Sequence, residues 1–245
     1  MNDKLQQIDT LLGELNQYRA NENYRITEAL EIEYTYDSNR IEGNTLTLHE
    51  TDMVVNKGIT IAGKGLREHL EAINHKEAID FIKDIAQKKE PISERVLLDI
   101  HAIVLHSIDK ENAGKYRRVP VIISGSKHIP PQPYLLQPKM DELFQWYEAN
   151  KDSMHPVVLA AQMHEKLVSV HPFIDGNGRT ARLLMNLILM QHGYPIANIK
   201  GNNETRRRYY ETLEEASSGD NSAFLEFIED VVIQSLTYYL KIIRG

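Results

Sequence analysis

Apolar residues recur every three or four positions along most of the chain, the spacing of helices that bury one face. Leu5, Ile8, Leu11, Leu12 and Leu15 form a first stripe. Ile26, Leu30, Ile32 and the region from Tyr34 to Tyr36 predict a second helix that stops near Gly43. Gly58, Gly63 and Gly65 mark a loop, and from Leu66 the spacing Leu70, Ile73, Ala78, Phe81, Ile82, Ile85 is helical again. Pro91-Ile92-Ser93 offers an N-cap for a helix over 94–105. The pattern breaks between Gly114 and Pro138, a stretch that holds five of the nine prolines. There the β-rich run 119–124 and the turn Ser124-Gly125-Ser126-Lys127 predict a short β-hairpin. Helical spacing returns over 140–149, 156–170, 179–191, 204–216 and 222–243. The expected fold is mainly α with one small hairpin. Residues 1–60 form a candidate N-terminal helical layer on a core of residues 61–245.

Composition narrows the setting. The chain has 245 residues, 42% apolar and 26% charged, enough for a sizeable core in a globular domain. A net charge of -7 argues against general affinity for nucleic-acid backbones. No cysteine is present, which excludes disulfides and thiolate metal sites and fits a reducing compartment. Met1-Asn2-Asp3-Lys4 opens a polar amphipathic stretch without the apolar core of a signal peptide. The longest strongly apolar run, 183–190, is interrupted by Asn186 and is too short to span a bilayer. A cytoplasmic protein with no membrane or nucleic-acid partner is expected. Ten histidines occur, but none in a His-Glu-x-x-His spacing.

The chemistry concentrates in His171-Pro172-Phe173-Ile174-Asp175-Gly176-Asn177-Gly178-Arg179-Thr180-Ala181-Arg182, between two helical segments. Pro172 pushes His171 out of helical geometry, so the preceding helix ends at Val170. Gly176, Asn177 and Gly178 tolerate positive φ and bring backbone amides together. Such a turn at the start of a helix is an anion cradle. Arg179 and Arg182 share one helical face, as two guanidinium forks for a polyphosphate would. Asp175 supplies a hard oxygen for magnesium, and His171 accepts a proton near neutral pH. Singly, each signal also fits an ordinary turn, a solvated arginine face or a core histidine. Their order within one loop points to phosphoryl or nucleotidyl transfer.

This stretch resembles the signature of the Fic family, His-Pro-Phe-x-Asp/Glu-Gly-Asn-Gly-Arg-x-x-Arg, with every specified position present. Gly114-Lys115-Tyr116-Arg117 and the run 121–131 look like the family's flap hairpin, and the helix after Arg179 looks like its central buried helix. The resemblance implies a helical bundle that moves AMP from ATP to a Tyr, Ser or Thr hydroxyl of a target protein, which includes the chain itself as a candidate. His171 would deprotonate the hydroxyl, and Asp175 would hold Mg²⁺. Gly176, Asn177 and Gly178 would cradle phosphate, and Arg179 and Arg182 would bind the β- and γ-phosphates. Phe173 would anchor the loop in the core. One of Tyr209 and Tyr210 would lie against adenine. The flap residues Ile122, Ile123, Ser124 and Gly125 would dock the target. Relatives often form homodimers. Ser217 stands where some relatives carry a nucleotide-contacting asparagine. Gly178 stands where the kinase-like branch carries lysine.

Ser38-Asn39-Arg40-Ile41-Glu42-Gly43 matches the family's inhibitory pattern, Ser/Thr-x-x-x-Glu-Gly/Asn. Ser38 and Glu42 lie on one helical face, with Glu42 in the last turn, where the helix dipole disfavours a carboxylate. The resemblance names Arg182 as its partner, taken away from the γ-phosphate. Two other readings stay open: removal of AMP from a modified protein, with Glu42 activating water, and a nucleotide-sensing module with little turnover.

Overall fold

The computed structural model describes residues 3–244. Met1 and Asn2, which open the polar N-terminus, and Gly245 lie outside the described residues. The elements are α1 (Asp3–Tyr18), α2 (Tyr24–Ile41), α3 (Leu48–Lys57), α4 (Leu66–Lys88), α5 (Glu94–Leu105), α6 (Leu136–Asn150), α7 (Pro156–Val170), α8 (Asn177–Gln191), α9 (Asn203–Ser217) and α10 (Ser222–Arg244). Helix α8 is the axis of the bundle. Leu183, Leu184, Met185, Leu187, Ile188 and Leu189 are all fully buried, so apolar side chains cover it on every side. Helices α4, α5 and α7 pack directly on it, and α1 lies along α10. Ile8 and Leu15 of α1 and Tyr34 and Ile41 of α2 belong to the same buried cluster as α8.

Several boundaries follow from local chemistry. Ser93 caps α5 by accepting the Val96 N–H at 3.4 Å. Helix α7 ends at Val170, where Pro172 was expected to stop it. Helix α6 begins at Leu136 and α8 at Asn177, each a few residues before the periodicity did. Helix α3 falls between Gly43 and the glycine-marked loop from Gly58, where periodicity predicted no element. Its signal is a capping box. The Thr47 hydroxyl accepts the Glu50 N–H at 3.2 Å, and the Glu50 carboxylate accepts the Thr47 N–H at 2.8 Å. Its apolar face packs Val54 against Leu46 and Ala72 in a separate small cluster.

The expected β-hairpin is absent: no strand forms among the described residues. Residues 119–129 carry one tight turn, with the Ser126 N–H bonded to the Ile123 carbonyl at 3.2 Å and Gly125 left-handed at φ 82°. Pro120, Pro130 and Pro131 remove donors that a ladder would need. The polar groups of the segment bond elsewhere. The Ser126 hydroxyl and the Lys127 N–H, the latter at 2.8 Å, donate to Glu214 on α9. The His128 ring meets the Ser169 carbonyl of α7 at 2.7 Å. The flap is therefore a docked loop. No helix among the described residues is long and apolar enough to cross a membrane.

Candidate active site

The loop joining α7 to α8 is held by its own sequence. His171 leaves the helix at φ 49°, ψ 56°, a left-handed conformation that costs a non-glycine residue roughly 1–2 kcal/mol. Phe173 next to it is fully buried and stacks on His101 with ring centroids 3.6 Å apart. The Asn177 side chain accepts the Phe173 N–H at 3.0 Å and donates to the Phe173 carbonyl at 2.9 Å, closing the loop on itself. Asn177 thus has its amide engaged inside the protein, which leaves its backbone N–H for an anion. Gly176 sits at φ 77°, a conformation that glycine adopts without strain, and no side chain caps the N-terminus of α8.

The ionisable groups converge on that N-terminus. Asp175 Oδ1 accepts the Gly176 N–H at 2.6 Å and lies 3.4 Å from Arg179, while Oδ2 receives Arg67. Burial pushes the Asp175 carboxyl up, but Arg179, the Gly176 amide and Arg67 outweigh it, so the group stays ionised at neutral pH. Arg179 is buried and lies 3.5 Å from Glu71, yet its Nε and Nη1 have no hydrogen-bond partner. Burial lowers the His171 pKa first, Arg117 and His128 lower it further, and the Val168 carbonyl and Glu42 oppose them. At pH 7 His171 is therefore a neutral base.

Arg182 is 1% exposed. Its Nε donates to the Ser38 hydroxyl at 3.0 Å, and Nη1 donates to Tyr209 at 3.3 Å. Its Nη2 donates to the Ser38 carbonyl at 2.9 Å and to Glu42 Oε1 at 2.6 Å. Burial works against this cation, but Glu42, Tyr209 and Tyr34 overcome it and raise its pKa. Since Tyr209 accepts from Arg182, its own hydroxyl donates to His164 Nε2 at 3.0 Å. Glu42 follows the last residue of α2, and its carboxylate occupies the space that a Cβ on Gly178 would need. A side chain at Gly178 would require the Glu42 carboxylate to shift from its place on Arg182.

The structure thus brings His171, Asp175, Gly176, Asn177, Gly178, Arg179, Arg182, Ser38, Glu42 and Tyr209 into one region. Tyr210 is half exposed and donates to the Ile41 carbonyl at 3.1 Å, closing the end of α2. Ser217 bonds its own helix through the Glu214 carbonyl at 2.7 Å. Ile122 is 91% exposed, and Ile123, Ser124 and Gly125 form the turn beside it. Sequence reasoning missed His101 and Glu71, and named Arg117 only as part of the flap motif. His101 Nε2 donates to the Asp175 carbonyl at 3.0 Å, and Nδ1 accepts the Gly114 N–H at 3.0 Å. Glu71 joins Arg67 at 3.1 Å and Asn44 at 3.0 Å. A cavity of about 1170 Å³ opens along α2 away from the loop, and no signature residue lines it.

An uncapped N-terminus of α8, two buried arginines in its first turns and a neutral histidine in the loop before it form an arrangement that can receive an anion. The Fic/DOC family model matches residues 91–189, which include the whole loop. The chain is 39% identical over 210 residues to a protein adenylyltransferase Fic from Nematostella vectensis, covering 85% of this chain and 48% of that one. It is 31% identical to the structure of Fic-1 from C. elegans, with a TM-score of 0.87, covering 98% of this chain and 72% of that one. A Fic-domain-containing signalling protein from Bacteroides thetaiotaomicron superimposes with a TM-score of 0.87 at 29% identity, covering 98% and 97%. The chain belongs to the Fic/DOC family. It spans about half the length of the curated relatives it matches.

Proposed function

We propose that this chain is a protein adenylyltransferase that moves AMP from ATP onto a Tyr, Ser or Thr hydroxyl of a target protein, with itself as one target. The carrying observation is Arg179, a buried cation on the first turn of an uncapped helix whose Nε has no partner and whose Nη1 has only Glu71, at 3.5 Å and without a hydrogen bond. That combination suits a phosphate chain. The names of the relatives support the same activity. His171 takes the proton of the acceptor hydroxyl, the oxygen bonds to the α-phosphorus, and the bond to pyrophosphate breaks. The N-terminal amides of α8 and the two arginines neutralise the phosphates. Asp175 fits a divalent cation shared with substrate. It is ionised, its side chain is 41% exposed, and no cluster of three metal-binding side chains occurs among the described residues. Mg²⁺ bound with ATP there would supply charge neutralisation at the phosphate oxygens.

The Glu42–Arg182 pair is read as self-inhibition, because it occupies the guanidinium that the γ-phosphate needs. Gly178 leaves room for the whole nucleotide, and Tyr210, the exposed member of its pair, is placed on the adenine side. The turn from Ile122 to Gly125 receives the target. A cytoplasmic homodimer is the proposed working form. AMP removal is the second reading, favoured by a Glu42 side chain that remains 32% exposed and so reaches water. The test is mass spectrometry after incubation with ATP and Mg²⁺. The wild type and Glu42→Gly should carry an added AMP, more in the variant, and His171→Ala none. Transfer by His171→Ala above about a tenth of the parent rate would remove His171 as the base.

A further inference from the structure

Arg117 lies in the loop between α5 and α6 and is 3% exposed. Its guanidinium donates to three backbone carbonyls: Nε to His171 at 2.9 Å, Nη1 to Val119 at 3.0 Å and Nη2 to Pro131 at 2.6 Å. Its own backbone N–H donates to the Pro172 carbonyl at 2.9 Å. Two of these acceptors are consecutive carbonyls of the signature loop, and the other two are the two ends of the flap. His171, the first acceptor, is the residue of that loop that holds a left-handed conformation without being glycine. Such a backbone persists only where its surroundings over-determine it. A planar fork with fixed donor directions suits that role, and an ammonium does not.

We infer that Arg117 is a positioning residue for AMP transfer: one buried guanidinium fixes the backbone of His171 and closes both ends of the 119–131 flap. The base and the segment that presents the acceptor hydroxyl are thereby held in one frame. The inference rests on the reading of His171 as the base. A misplacement of about 1 Å between reacting groups costs on the order of a hundredfold in rate, so a shared brace matters to turnover. The brace also acts on the imidazole. Around His171, Arg117 and His128 disfavour its protonated form, as burial does, while Glu42 and the Val168 carbonyl favour it. Removing the Arg117 charge raises the pH at which His171 titrates.

The test uses the full chain carrying Glu42→Gly, with labelled ATP and self-modification as the turnover readout. Two further readouts need no turnover: trypsin cleavage after the exposed Lys127, and the pH titration of the His171 imidazole by NMR. Arg117→Met should bind ATP within about threefold of the parent, yet transfer roughly tenfold slower or worse at saturating ATP. It should be cut faster after Lys127, and its His171 should titrate at higher pH. Arg117→Lys should keep the parental titration but not the flap protection, because one ammonium does not span three carbonyls. Unchanged cleavage together with unchanged turnover in either variant overturns the inference. So does a parallel loss of melting temperature, ATP binding and transfer with an unmoved His171 titration, the result expected of an arginine that only supports the fold. If Arg117→Met does not fold, the Lys variant decides by cleavage and turnover. Transfer that survives His171→Ala removes the base reading instead, and the flap clamp is then still judged by proteolysis.

Discussion

Arg182 is where two claims on one side chain meet. Ser38, Tyr209 and Glu42 already engage all three of its nitrogens, and a γ-phosphate would compete for the same donors. A charge-assisted hydrogen bond contributes about 1.5–3 kcal/mol, less where one partner reaches solvent, so about 1–2 kcal/mol is reasonable for Glu42. Glu42→Gly should then raise self-modification about five- to thirtyfold at limiting ATP, and adding Arg182→Ala should abolish the gain. An unchanged rate with Mg²⁺ present and ATP limiting would speak against self-inhibition by α2. The same carboxylate also shapes the pH profile. His171 has its pKa below 6.5, so transfer should hold level from about pH 8 to 6.5 and fall only as pH drops through a lower value. Glu42 raises that value, so in Glu42→Gly the acid limb should move further down. A limb that moves upward would contradict the assignment of His171 as the titrating base.

Among the elements, the flap and α9 are tied by a single carboxylate. Glu214 receives the Ser126 hydroxyl and the Lys127 N–H, which hold its side chain ionised. Glu214→Ala should free the tip, speed trypsin cleavage after Lys127 several-fold and weaken transfer to protein acceptors more than ATP binding. Equal loss of both would assign the flap a purely structural role. This docking was not legible in the sequence, because its partner lies 87 residues away. The helices were legible because each carries its own apolar stripe and punctuation: Ser93 before α5, Pro172 after α7, Gly176 before α8. The β-rich run 119–124 was read as part of a hairpin, but Pro120 within it and Pro130 and Pro131 after it leave no ladder to join. Helix α3 was missed although Thr47 and Glu50 spell a capping box, because its apolar stripe is short. In the site, residues of the signature loop were readable as a block. Arg117 and His101 were not, since their partners are backbone carbonyls and amides of distant segments, which no side-chain pattern reveals.

For the molecule as a whole, the price of wrapping α8 so completely is three histidines with little or no access to water. His75 on α4, His101 on α5 and His164 on α7 are all at or near full burial. Burial is the main cause that lowers each pKa, and Arg182 and Arg179 add to it. His101 titrates at about 4 and His164 at about 3, and His75 well below 6.5. The sign of the linkage follows. The unfolded chain binds protons at these positions below about pH 6.5, and the folded chain does not until much lower. Their neutral burial is therefore compatible with full stability above 6.5 and draws stability away as pH falls toward 4. At pH 5 His101 and His164 each cost on the order of 2 kcal/mol, and His75 acts in the same direction, so the cost is a large part of the net stability of a typical domain. The Asp175 carboxyl, held below its ordinary value by Arg179, the Gly176 amide and Arg67, stays ionised until lower pH, so the histidines should set the first part of the acid transition. Melting temperature measured calorimetrically should be nearly level from pH 8 to 6.5 and fall steeply between 6.5 and 4.5. His164→Gln should make that descent shallower, because the variant has one fewer group to protonate on unfolding. A melting temperature that stays level to pH 4.5 would mean that these imidazoles reach water in the native state, and that the packing around α8 is looser than described.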